Sequence, residues 1–106
     1  GLDEKVMLHR FIEALRETVR ELPQSELVIL KLKYRDGLSA HDIVEFFRKV
    51  GSSPVAGKSV DDLTTQDIYG FLSSIMLKIV RMLKVRCEDW DLNASRLKEI
   101  FEEIGV

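Results

Sequence analysis

The side chains with the clearest claim to chemistry lie in the middle of the chain. Ala56-Gly57-Lys58-Ser59 ends like a phosphate-cradling loop, whose form G-x-x-x-x-G-K-[ST] brings backbone N–H groups and a lysine onto phosphate oxygens. The first glycine of that form falls on Ser52, and the chemistry also needs a strand before the loop and a helix directly after it. Here a helical pattern precedes the loop and Asp61 and Asp62 follow it, so the stretch reads as a surface loop rather than a nucleotide site. His9 and His41 have no second histidine or cysteine at ligand spacing, and Cys87 stands apart from both. No serine, cysteine or lysine is matched to a base, and 106 helical residues leave little room for an enclosed pocket. The expectation is a protein that is not an enzyme and holds no metal or cofactor.

The stretch from Thr65 carries a more specific signal. Thr65, Gln66, Tyr69 and Ser73 stand near the start of a helical pattern, where polar side chains can meet base edges in a major groove, glutamine making paired hydrogen bonds to adenine. Lys78, Arg81 and Lys84 follow and suit phosphates. The same helix has a core stripe of Ile68, Leu72, Ile75, Ile79, Met82 and Leu83, and Tyr69, Phe71, Met76 and Val80 extend its apolar surface beyond that stripe, so the helix is either wrapped on two sides or has an exposed apolar face. Two uses compete: contact with DNA, or association through an apolar face with Phe71, Met76 and Val80, either as a homodimer or with a regulatory protein. A capped amphipathic helix with lysines on its wet side would look much the same.

Helices must position these residues. From Lys5 to Leu22, the residues Leu8, Phe11, Ile12, Leu15, Val19 and Leu22 keep a helical stripe with charged residues on the other faces. Pro23 suits the first turn of a second helix, in which Leu27, Leu30 and Tyr34 recur at helical spacing. Gly37 supplies a left-handed stop, and Ser39, three residues before Asp42, caps a third helix with Ile43, Phe46, Phe47 and Val50 on one side. Helix, glycine turn, helix is the front half of a helix-turn-helix. The segment 51–63 then reads as a loop longer than the usual connection, which implies mobility or a function of its own. Thr64 with Asp67 caps a long helix reaching about Arg86. Asn93 caps the last one, where Leu97, Ile100, Phe101 and Ile104 form the buried stripe and Gly105 is the stop; Trp90 and Leu92 are expected to pin the connection.

The pattern therefore predicts one all-α domain over 1–106: a five-helix helix-turn-helix fold with its core at about 22–86 and an added C-terminal helix at about 93–104. Hydrophobic residues at 45% and charged residues at 32% suit a folded chain, which at this length buries roughly two thirds of its unfolded surface. No apolar run approaches the length of a membrane span and no secretory leader is visible, so the expected location is the cytoplasm, with no membrane partner. The lone cysteine agrees with a reducing compartment. Gly1 suits a remnant of tag removal, which makes an excised domain the expectation. The net charge is -2, but residues 23–87 hold ten Lys or Arg against seven Asp or Glu, whereas the flanks hold six against eleven. A mildly basic middle between acidic ends permits nucleic-acid contact without demanding it.

The segment LPQSELVILKLKYRDGLSAHDIVEFF resembles the start of region four of bacterial RNA polymerase sigma factors. Leu22, Pro23, Leu30, Leu32, Tyr34, Asp36, Gly37, Leu38, Ser39 and Ile43 stand where that family's pattern places such residues. QDIYGFLSSIMLKIVRMLK also resembles the recognition helix of some sigma factors, so the likeness covers about residues 12 to 86. The resemblance implies a domain that docks a recognition helix on the upstream element of promoter DNA and binds the flap of the β subunit in the RNA polymerase core. It implies that Thr65, Gln66, Tyr69 and Ser73 face the bases, with His41 and Lys58 nearer the phosphates. The alternative is a sigma-like fold used to bind protein, as a homodimer or with an anti-sigma partner, with weak or no DNA binding.

Overall fold

The fold is organised around its longest helix. It was obtained as a computed structural model, which describes residues 2–86 and 93–104. The described residues form five α-helices, α1 (Leu2–Arg20), α2 (Gln24–Leu30), α3 (Ala40–Val50), α4 (Thr65–Arg86) and α5 (Ala94–Ile104), and no strand. Helices α1, α2, α3 and α5 all pack against α4. That is why α4 buries Ile68, Leu72, Ile75, Met76, Ile79, Val80 and Leu83, positions that cover more of its circumference than one amphipathic stripe. Each such side chain contributes roughly 1.5–3 kcal/mol by leaving water.

The second helix ends in an unusual way. After Leu30 the chain widens into a π-helical turn over Lys31–Arg35, in which Asp36 N–H donates to the Lys31 carbonyl at 2.9 Å. Gly37 then adopts φ 69, and Leu38 N–H reaches back to the Leu32 carbonyl at 2.9 Å, so the glycine closes the helix as its left-handed conformation requires. The sequence pattern carried Tyr34 in an ordinary helix; over five residues a π turn leaves no separate periodic signal. Ser39 caps α3 by accepting from Asp42 N–H at 3.2 Å, and Gly51 ends it at φ 79.

The connection 51–63, whose length left mobility or a function of its own open, is tied back to α3 and the core. Arg48 on α3 donates to the carbonyls of Val60 at 3.5 Å and Leu63 at 3.3 Å. Ser59 caps a 3₁₀ turn over Val60–Asp62, and Leu63 is buried in the core. Other ties hold the ends of the molecule. Arg86, at the end of α4, bonds the buried Thr18 hydroxyl at 2.9 Å and pairs with Glu21, fastening α1 to α4. On α5, Phe101 stacks on Tyr34 with centroids 5.5 Å apart.

Two apolar positions depart from the expected core. Leu8 is 60% exposed, because the described part of the core begins further along α1 at Leu15, and Val50 at the end of α3 is also exposed. Cys87, Trp90, Leu92 and Gly105 lie outside the described residues. The Tyr34–Phe101 contact anchors α5, so Phe101→Ala is expected to cost about 3–5 kcal/mol in urea unfolding. Val85→Ala, at an exposed position of α4, is expected to stay within about 0.5 kcal/mol of the parent. Equal effects would contradict this packing.

Candidate macromolecular interface on helix α4

The start of α4 is fixed by a reciprocal cap. Asp67 N–H donates to the Thr64 hydroxyl at 3.2 Å, while Thr64 N–H donates to the Asp67 carboxylate at 2.9 Å. Lys58 reaches over from the preceding loop and pairs with the same carboxylate at 2.7 Å. The Lys58 ammonium, and then the Thr64 N–H, hold the Asp67 carboxyl below its ordinary range. Lys58 thus spends its charge inside the molecule. Asp61 and Asp62, exposed just before the cap, have no ion pair among the described residues.

Past the cap, one side of α4 stays open for its whole length. Gln66, Gly70, Ser73, Leu77, Arg81 and Lys84 succeed one another at steps of three and four residues, which keeps them on one side of the helix, and all six are exposed. From Gln66 to Lys84 the stripe runs about 27 Å at 1.5 Å per residue. It carries no acidic side chain, and Arg81 and Lys84 have no ion pair among the described residues. Tyr69, 52% exposed, borders it, and Leu77 is 54% exposed. A Cβ added at Gly70 would meet nothing within 4 Å, so no neighbour in the chain requires that glycine.

Alongside this face a cleft of about 380 Å³ opens between the π turn, α4 and α5. Tyr69, Ser73 and Leu77 form one wall, Met76 contributes to the lining, and Lys33 and Lys98 stand at the cleft without ion pairs among the described residues, together with Glu102. Burial, and then the Glu102 carboxylate, push the Tyr34 phenol up, which keeps it neutral well above neutral pH.

The expected site residues divide into three groups. Gln66, Tyr69 and Ser73 lie together on or beside the open face, and Thr65 sits half-buried in the first turn. Lys78 is turned the other way, its ammonium bonding both carboxylate oxygens of Glu26 on α2 at 3.1 and 3.3 Å, so it is bound within the fold. His41 is exposed in the first turn of α3. The expected apolar outer face needs correction: Met76 and Val80 are 4% and 6% exposed, and Phe71 is half-buried against the core. Four helices packed around α4 absorb what a single-faced helix would have displayed. Leu77, Lys33 and Lys98 were missed as surface residues. Leu77 was findable as the complement of the core stripe; the two lysines meet α4 only through tertiary packing.

Comparison of the chain with protein-family models, with curated proteins and with solved structures gave no match. The open space at Gly70 gives a direct check. Gly70→Ala is expected to stabilise the fold by about 0.5–1 kcal/mol, since alanine limits the unfolded chain and the helix accepts its methyl group. A lower melting temperature for this variant would show that the position is not open.

Proposed function

We propose that this chain is a helix-turn-helix domain that contacts duplex DNA through the open face of α4, as region four of sigma factors does. The observation that carries the reading is the unbroken exposed stripe, polar over Gln66 and Ser73 and cationic at Arg81 and Lys84, with no carboxylate between them. Packing of α3 against α4, and the punctuation at Gly37 and Ser39, support the same reading. Gln66 is the residue suited to paired hydrogen bonds with a base edge, and Tyr69 and Ser73 suit shorter-range polar contact. Arg81 and Lys84 suit phosphates, which set register without reading sequence. The resemblance supplies the larger setting, promoter DNA with the RNA polymerase core bound through its β flap. With few free cations on α4 and an overall charge of -2, the domain's own affinity is expected to be modest and greatest at low salt.

A second reading, a sigma-like fold that binds protein, is favoured by a separate observation. Lys58 and Lys78 are consumed by Asp67 and Glu26, and Asp61 and Asp62, in the turn before the helix, have no cationic partner among the described residues. Those acids oppose phosphate approach at the end that would enter a groove. The test is anisotropy of labelled duplexes selected from a randomised pool, titrated across salt. The DNA reading expects log K to fall with log salt at a slope of about -2, matching two phosphate contacts. Arg81→Ala is expected to reduce the slope by about 1, and Gln66→Ala to relax preference at one base pair by about 1–3 kcal/mol. No binding at low salt, or binding indifferent to both substitutions, would leave the protein-binding reading.

A further inference from the structure

We propose that the cleft between the π turn, α4 and α5 binds a small aromatic carboxylic acid. This does not rest on the DNA reading, because nothing in it requires a duplex. At about 380 Å³ the cleft falls within the range of small-molecule pockets, and it shares their make-up, an apolar lining on which a few polar groups converge. Leu72 and Met76 are buried side chains of that lining, and Tyr34 and Tyr69 add two aromatic rings. Such rings and a methionine thioether favour another ring as their neighbour.

The polar groups give the sign of the ligand. Lys33 is half-buried, and its side chain makes no ion pair or hydrogen bond among the described residues. The Tyr34 hydroxyl next to it in sequence is equally without a hydrogen-bond partner there, and as a neutral phenol it is a donor. Both reach the cleft from the π turn, a rare local structure that recurs at functional sites. Lys98 adds a second unpaired ammonium from α5, so two elements aim cations at one space. Two ammonium groups and a phenol are the set of donors that holds a carboxylate by charge-assisted hydrogen bonds. Glu102 is the single carboxylate among the lining residues, and it leaves the cleft one positive charge in excess. That excess matches one carboxylate and opposes a dianionic phosphate.

The test is titration of the isotopically labelled whole chain with naphthylacetate at low ionic strength, followed through backbone amide shifts. The expected result is saturable movement confined to the cleft residues, with a dissociation constant of about millimolar, the scale for a ligand of this size. Naphthylacetamide, which keeps the ring without the charge, is expected to bind about tenfold more weakly. Lys33→Met and Lys98→Met, which keep an apolar stem, are each expected to weaken naphthylacetate about threefold. Glu102→Gln is expected to strengthen it about threefold, since the carboxylate that opposes the ligand is gone. The amide spectrum of each variant verifies its fold. No saturable movement, equal binding of the acid and the amide, or an affinity that none of the three substitutions changes would overturn the proposal. A blocked acidic tripeptide with a central phenylalanine that moves the same amides where naphthylacetate does not would overturn it in favour of a protein partner. No DNA enters these titrations, so failure here and failure of the DNA reading are separable.

Discussion

The packing of α4 against four other helices is the constraint on which the rest of the structure depends. A helix presents only about 360° of surface, and here α1, α2, α3 and α5 claim most of it. What remains is a stripe defined by exclusion. Its residues are exposed because Ile68, Leu72, Ile75, Ile79 and Leu83 are not. The side chains available for function are therefore chosen by the core, and the helix cannot roll to offer others without breaking it. Tight packing of this kind leaves little room for compromise, since interiors sit near crystal density.

Electrostatics then decides which charges stay on the surface. Ion pairs that keep contact with solvent are worth little as stability, roughly 0–1 kcal/mol, so the half-buried Lys58–Asp67 and Lys78–Glu26 pairs are weak staples. Their larger effect is to withdraw two cations from any outside partner. Arg48 acts differently, because its guanidinium bonds carbonyls of the 51–63 segment and orders the approach to α4. With Leu63 buried and Thr64 capping, the long connection becomes a fixed lead-in. The length that suggests mobility from sequence is therefore compatible with order, because anchoring side chains satisfy the backbone groups that a turn would otherwise satisfy.

Local punctuation was legible in the sequence; neighbourhood was not. Gly37, Ser39 and the Thr64–Asp67 pair mark their helix boundaries because each acts through atoms a few residues away, and the structure shows the expected bonds. Asn93 does the same for α5, accepting from Arg96 N–H at 2.9 Å. Met76 and Val80 were misread because periodicity shows that a helix is apolar on several sides without showing whether those sides are covered. Leu8 was misread in the opposite sense, since its place in a helical stripe does not reveal where the core ends. The Lys78–Glu26 pair spans 52 residues, and nothing in local spacing announces it. The candidate site was legible in Gln66, Tyr69 and Ser73, and its boundary was not.

The central claim is that α4 keeps the Gln66–Lys84 face open while Met76, Val80 and the core stripe are closed. Thiol-labelling rates measure that directly. In a Cys87→Ser background, single cysteines placed at Ser73, Leu77 and Arg81, and in turn at Met76 and Val80, would be alkylated at low micromolar protein. The account predicts that the first three react nearly as fast as an unstructured peptide. Met76 and Val80 positions should be slower on the order of a hundredfold or more, because reagent must await an opening of the fold. Comparable rates at Met76 and Leu77, in variants that remain folded, would contradict it.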